Sequence, residues 1–195
     1  MEEKELNPTE SIQLISQMVN TAKNKLADDG FLTIFWGWLV FIAATIHFIT
    51  IKLHLPYGEF TWVTLMPFGG IVSAIYGFKQ GKKAKVKTYI DTYLGYLWGA
   101  FGIALFATLV FMPTHGIKTS YFFLMLLYGL ATFISGGLLN FKPLVYGSLI
   151  SFACAIISTF LSETDQLLII AIAILGSYIV PGHLLRKTYK SQTNV

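Results

Sequence analysis

Long apolar stretches separated by short polar segments dominate the pattern of this chain. A stretch of about 20 apolar residues is long enough to span a membrane core of about 30 Å. The stretches of this length are Phe31–Lys52, Phe60–Phe78, Asp91–Met112, Thr119–Asn140, Pro143–Leu161 and Gln166–Leu185. The pattern therefore predicts an all-α membrane protein whose six transmembrane helices form three successive hairpins.

The segment before the first stretch has the periodicity of an amphipathic helix, with apolar residues at three- and four-residue steps. These residues are Ile12, Ile15, Met18, Val19, Ala22 and Leu26. Asn7, Pro8 and Glu10 have the spacing of a helix start, and Gly30 is placed to end the helix. We predict a helix over residues 7–29 that packs on the cytoplasmic face of the bundle or on a second copy. The alternatives are a helix in the lipid interface and one that docks a separate partner.

These patterns predict three parts of the chain. Residues 1–30 form a cytoplasmic amphipathic segment, residues 31–185 a six-helix transmembrane domain, and residues 186–195 a basic cytoplasmic tail. Only 12% of the residues are charged, against about 25% in soluble domains. The acidic start, MEEKELNPTE, lacks the basic region and short apolar core of a signal peptide. We therefore expect the first span to stay in the membrane.

The distribution of positive charge predicts the orientation of the spans. Of the 14 Lys and Arg residues, only Lys52 and Lys118 fall in the loops after the odd-numbered stretches. The others lie before the first stretch, after the even-numbered ones, or in the tail. Because positively charged short loops stay in the cytoplasm, we predict a multi-pass protein of the cell inner (plasma) membrane with both termini inside.

The densest positive cluster lies between the second and third stretches. It consists of Lys79, Lys82, Lys83, Lys85 and Lys87. A cluster of this kind beside a membrane is first of all a topology signal. It is also typical of a contact with anionic lipid headgroups, to which each lysine contributes about 1 kcal/mol. The run is short and tied to the bilayer at both ends, so we expect no binding of nucleic acid.

Small residues at four-residue steps allow helices to approach closely in lipid. The candidate helix-packing residues are Gly69, Ser73, Gly77, Gly95, Gly99, Gly147 and Ser151. Packing within one chain is the favoured interpretation. A seam between two copies and the lining of a permeation path are the alternatives. Trp36–Gly37, Trp98–Gly99 and Tyr146–Gly147 recur at similar depths, which is consistent with a weak internal repeat. Pro67 and Pro181 can kink their helices.

The candidate chemistry of the chain is confined to its predicted outer face. His47, His54, His115 and Glu59 fall at similar depth there, and such a set is able to bind zinc or to sense acid. The spacing is irregular, however, and neither a paired His motif nor HExxH is present. We therefore assign no metal, and regard a hydrogen-bonded His47 with two solvated histidines as the favoured interpretation.

The sequence contains no recognisable catalytic or cofactor motif, so we expect neither an enzyme nor a bound cofactor. Its single Cys154 cannot form an internal disulfide. Two functions stay open. The favoured one is a non-catalytic membrane protein that acts by assembly, including with its own copies, or by regulating a partner. The alternative is a small channel or transporter for a neutral or lipid-like substrate, with Ser73, Thr108, Thr132, Ser135 or Ser151 lining the path.

Overall fold

The computed structural model describes residues 7–83 and 89–193, and within these ranges every secondary-structure element is helical. The elements are α1 (Pro8–Lys52), α2 (Phe60–Lys83), α3 (Tyr89–His115), α4 (Ile117–Leu138), α5 (Lys142–Ser158), α6 (Glu163–Ile174) and α7 (Val180–Thr193). A π-helical turn, Leu175–Ile179, joins α6 to α7 without a break. The described part thus contains six continuous helices, and the all-α prediction is confirmed.

Five helices of the described ranges are long and apolar enough to cross a membrane. These segments are Gly30–Lys52, Phe60–Lys79, Tyr89–His115, Ile117–Leu138 and Glu163–Thr188. The remaining helix, α5, is apolar but shorter, with 17 residues. By helix length and hydropathy, the chain is a multi-pass membrane protein.

Contacts between helix ends show that all the helices run from one end of the bundle to the other. Lys52, at the end of α1, lies 3.8 Å from the Asp165 carboxylate of α6. The Gln166 side-chain amide of α6 donates to the carbonyl oxygens of Ser158 in α5 (2.8 Å) and Lys118 in α4 (3.4 Å). We call this the Lys52 end.

The opposite end is defined by Gly30 and Gly182. A Cβ added to Gly30 would lie 4.0 Å from the Gly182 carbonyl oxygen. The rings of Phe31 and Tyr76 are 5.2 Å apart, which places the C-terminal part of α2 at the same end. We call this the Gly30 end. The helices alternate between the two ends, including the short α5.

The predicted helix break at Gly30 is wrong. Helix α1 continues through Gly30 as one element of 45 residues. A glycine inside a helix costs only about 1 kcal/mol relative to alanine, and Gly30 is buried against α7, where it packs without a side chain. Most side chains of the predicted amphipathic face lie outside the described set. Ile12 is described and is exposed.

The core of the bundle surrounds the rod formed by α6, the π turn and α7, which α1, α4 and α5 contact. Glycines allow two of these helices to approach closely. An added Cβ at Gly37 of α1 would lie 2.8 Å from the Ile179 side chain. One at Gly147 of α5 would lie 2.6 Å from the Gly176 carbonyl oxygen. The rod is therefore clamped between α1 and α5 at its π turn.

The π turn of the rod lies two residues before Pro181, the proline inside this helix. Proline has no backbone N–H and cannot donate to the preceding turn. The Val180 N–H instead bonds to the Leu175 carbonyl, five residues back, as is usual in π turns. The Ser177 hydroxyl donates to the Ala173 carbonyl at 2.6 Å and occupies a further acceptor in the same region. The helix thus passes the proline without ending.

Helices α2 and α3 lie at the periphery of the bundle. α2 packs on α1, and α3 packs on α4. α3, described throughout, has no buried residue. It reaches the rod through an aromatic contact, in which the Trp98 and Tyr178 rings lie 6.5 Å apart. At the Lys52 end α3 is joined to α4 by Gly116 alone, whose φ of 83° is the left-handed region that favours glycine.

Candidate functional site

Two tryptophan side chains fasten α2 to α1, one toward each end of the pair. The Trp36 indole N–H of α1 donates to the Ser73 hydroxyl of α2 at 2.8 Å. The Trp62 indole N–H of α2 donates to Nδ1 of His47 in α1 at 3.0 Å. Both bonds join polar groups within apolar helices, where an unpaired N–H is costly. They therefore fix the position of α2 along α1.

The two bonds differ in the chemistry of their acceptors. Ser73 offers a hydroxyl, which does not take up a proton in acid, whereas His47 offers a nitrogen of an imidazole, a group that does. Because Nδ1 accepts the Trp62 N–H, it carries no proton, and the proton of the neutral ring is on Nε2. The Trp62–His47 bond is thus specific to the neutral form of the ring.

The loop between α1 and α2 folds closely over His47. Gly58 is buried, and a Cβ added there would lie 2.8 Å from Cδ2 of His47. The Thr50 hydroxyl donates to the His47 carbonyl at 2.8 Å and packs against the same glycine. The Glu59 carboxylate, the next residue in the loop, acts on the His47 ring electrostatically. The half-buried ring is therefore covered on one side by groups of its own hairpin.

The four candidate metal-ligating residues lie at the Lys52 end but do not form one site. His47 is engaged by Trp62, and His115 lies 2.9 Å from the Thr114 hydroxyl of its own helix. His54 is exposed, with a φ of 54°. Among the described residues, no group of three or more His, Cys, Asp or Glu side chains is arranged to hold a metal ion. The zinc hypothesis therefore has no geometric basis there.

The lysine cluster begins at the Gly30 end of α2. Lys79 and Lys82 are exposed on the last turns of the helix. Lys83 ends the helix, and its side chain is not among those described; Lys85 and Lys87 lie outside the described ranges. A groove of 460 Å³, lined by Ala74, Gly77, Phe78, Gly81 and Lys82, opens on this part of α2. It belongs to the surface and does not enter the bundle.

The small-residue candidates separate into two groups. Those of α5 lie at close contacts: Gly147 meets the rod, and the Ser151 hydroxyl donates to the Met125 carbonyl of α4 at 3.0 Å. In α2, Gly69 packs under the Trp36 ring, beside the bonded Ser73.

The second group has no close neighbour among the described residues. An added Cβ at Gly77, Gly95 or Gly99 would meet no atom within 4 Å in the described part. Sequence spacing alone could not separate the groups, because it leaves undetermined which side of each helix faces the bundle.

Hydroxyl groups inside the bundle bond mostly to helix carbonyls. Thr108 donates to Ala104 at 2.8 Å, and Thr132 donates to the carbonyl of Tyr128. Ser135 and Tyr178 have buried hydroxyls without a partner among the described residues. Serines and threonines that bond to their own helix satisfy themselves without water. Most of the hydroxyls that were candidates for a polar path are therefore already engaged.

Sequence reasoning missed Gln166 and the indole hydrogen bonds. Gln166 is fully buried, and its amide joins α6 to the ends of α5 and α4. An amide at the start of an apolar run, as in ETDQLLII, is the signal that points to such a residue. The indole bonds leave no local signal, because Trp62 and His47 are separated by a turn and lie on different helices.

Comparison with known proteins adds no assignment. No family model matches the chain, and neither does any curated protein or any solved structure. The arguments for function therefore rest on the geometry of this chain.

Proposed function

We propose that this chain is a six-span protein of the plasma membrane, with both termini in the cytoplasm, that acts by assembly in the membrane and not by catalysis. The 17 residues of α5 rise about 25 Å, close to a membrane core of about 30 Å. Its ends lie level with those of its neighbours, which supports a sixth crossing. The positive-inside rule then places the Gly30 end in the cytoplasm and the Lys52 end outside.

Cysteine labelling on intact cells tests this orientation. In a Cys154→Ala background, we expect Leu55→Cys, in the exposed α1–α2 loop, to react with a membrane-impermeant maleimide. Lys82→Cys, exposed at the other end of α2, should react only after the membrane is permeabilised. Labelling of Lys82→Cys from outside, with Leu55→Cys protected, would show that the orientation is inverted.

The observation that carries the assembly proposal is the open glycine face of α3. Gly95 and Gly99 are four residues apart, the spacing that permits close helix contact in lipid. An added Cβ at either would meet nothing within 4 Å. α3 has no buried residue, so a second helix is able to pack here without displacing one that is already present. The proposed partner is a second copy of the chain.

Substitution of the open glycines tests whether copies associate through α3. We expect Gly95→Leu with Gly99→Leu to reduce the dimer fraction in liposomes, measured by single-molecule photobleaching, because bulky side chains keep the helices apart. Gly137→Leu is the matched control, since Gly137 of α4 is exposed and also has no atom within 4 Å of an added Cβ. An unchanged dimer fraction in the double variant, or a monomeric wild type, would contradict assembly through α3.

The proposed surroundings include anionic lipid headgroups on the cytoplasmic side. Lys79 and Lys82 are exposed where α2 leaves the membrane, and the sequence adds Lys83, Lys85 and Lys87 immediately afterwards. Each lysine near an acidic leaflet gains about 1 kcal/mol. We propose that this contact stabilises the orientation of the chain and favours anionic lipids around α2. We propose no nucleic-acid partner.

The alternative function, a small channel or transporter, has weaker support. Of the hydroxyls that would line a path, Ser73 accepts a bond from Trp36, and Thr108, Thr132 and Ser151 donate to carbonyls. Ser135 alone of this set is buried without a partner in the described part. A path for a neutral substrate would require several of these groups to face water together.

A further inference from the structure

We infer that the Trp62–His47 bond is an acid-sensitive latch that holds the Lys52 end of α2 against α1 and releases it when His47 takes up a proton. The inference is independent of the proposed assembly and of the orientation. It rests on the direction of one hydrogen bond, on the partial burial of the ring, and on the way α2 is attached to the rest of the chain.

The direction of the hydrogen bond decides the effect of acid. The Trp62 indole is a donor only, and Nδ1 of His47 is its acceptor at 3.0 Å. When the ring is protonated, both of its nitrogens carry hydrogen and neither accepts. The two N–H groups then face each other across the same distance. Protonation and the Trp62–His47 bond are therefore mutually exclusive.

The loop carries an acidic group that acts on the ring electrostatically. The carboxylate of Glu59 acts on His47 from the loop, three residues before Trp62 in the chain. Partial burial of the ring and the indole donor both favour the neutral form, whereas the nearby carboxylate favours the charged form. Acid therefore has to overcome both the burial and the bond before the ring is charged.

The other charged or histidine side chains at this end come from the α1–α2 loop and from α1, α3, α4 and α6; His115 ends α3, and Lys118 lies in the first turn of α4. Lys52 of α1 is paired with Asp165 of α6 at 3.8 Å, and Glu163 lies in the first turn of α6. His54, in the α1–α2 loop, is exposed. The titratable side chains of α7 that the structure describes are His183, Arg186 and Lys187, and these lie toward the Gly30 end of this helix, which also packs on α1.

The attachment of α2 explains how a single bond can matter. Within the described ranges, α2 packs on α1 and forms no comparable contact with α3 or with the rod. Its second polar attachment, the Trp36–Ser73 bond, has a hydroxyl acceptor that acid does not affect. Lowering the pH should therefore free the Lys52 end of α2 while its Gly30 end stays in place, so that the helix pivots and does not detach.

Distances between spin labels test this movement directly. In a Cys154→Ala background, labels at Ile46→Cys and Val63→Cys, both exposed next to the latch residues, report on the Lys52 end. Labels at Trp38→Cys and Ile71→Cys, also exposed, flank the Trp36–Ser73 bond and serve as the matched control. From pH 8 to pH 5, through the range in which histidines titrate, we expect the first pair to shift to longer distance and the control pair to stay unchanged.

Substitutions at the latch separate this effect from a general response to acid. His47→Asn places an amide oxygen near the position of Nδ1, so the pair should stay at the short distance at both pH values. His47→Ala and Trp62→Phe each remove one side of the bond and should give the long distance at both. The inference is overturned if wild type shows no shift, if His47→Asn retains the shift, or if Trp62→Phe still responds to pH.

Discussion

Replacing Gly147 by alanine is expected to lower the free energy of unfolding by about 1–3 kcal/mol, the usual range for overpacking a filled interior. The new Cβ would lie 2.6 Å from the Gly176 carbonyl oxygen and 2.9 Å from the Pro181 ring. The first of these is backbone inside the rod, so relief requires α5 to move away from it. Gly147→Leu should prevent assembly of the bundle.

Gly102→Ala is the control that isolates this clash. Gly102 lies in the interior of α3 and is exposed, and an added Cβ there meets no atom within 4 Å. Both substitutions replace a glycine inside a helix by alanine and gain the same helix propensity. The difference between their effects on the free energy of unfolding therefore reports packing alone. Unfolding in detergent, followed by circular dichroism or by Cys154 accessibility, measures both. Equal stability of the two variants would contradict the close approach of α5 to the rod.

Replacing Gln166 is expected to loosen the Lys52 end of the bundle. Its amide nitrogen donates to the Ser158 carbonyl at 2.8 Å and, more weakly, to that of Lys118 at 3.4 Å. These carbonyls lie in the last turn of α5 and the first turn of α4. Gln166→Met keeps the approximate volume and removes the donor. This should cost about 0.5–1.5 kcal/mol, the usual net contribution of a hydrogen bond, because the Ser158 carbonyl still accepts the Leu161 N–H at 3.1 Å.

Gln166→Ala separates the contribution of packing from that of the hydrogen bonds. It removes the same donor and also leaves a cavity, since the side chain is fully buried. We therefore expect the free energy of unfolding to be highest for wild type, lower for Gln166→Met and lowest for Gln166→Ala. If Gln166→Met is as stable as wild type and only Gln166→Ala has a lower free energy of unfolding, the side chain acts through its volume alone and the amide does not join the helices.

The positions of the helices could be predicted from the sequence because apolar length is a local property. Each predicted stretch overlaps a helix of the structure. The helix start that Asn7 and Pro8 predict agrees with the start of α1 at Pro8. The stop at Gly30 could not be predicted correctly. The cost of a glycine is small, and the contact of Gly30 with α7 is made by a segment about 150 residues further along the chain.

The candidate sites show a different limit. Depth in the membrane could be deduced, which is why His47, His54 and His115 were expected at one end, where they lie. The rotation of each helix about its axis could not be deduced from the sequence, because it depends on packing partners from distant parts of the chain. Gly147 and Gly99 follow similar aromatic residues in the sequence, yet one touches the rod and the other touches nothing.

The π turn at Leu175–Ile179 sets the rotational phase between the two halves of the rod. Each residue of an α-helix advances the side chain by 100°, and a π turn accommodates about one residue more than an α turn. Gly176 contacts Ile150 of α5, whereas Gly182 contacts Ile34 of α1. If the same residues formed a regular α-helix without the π turn, α7 would be rotated by about 100° relative to α6. Gly182 would then turn away from α1, so the one extra residue that this turn absorbs is as much a part of the fold as any side chain in it.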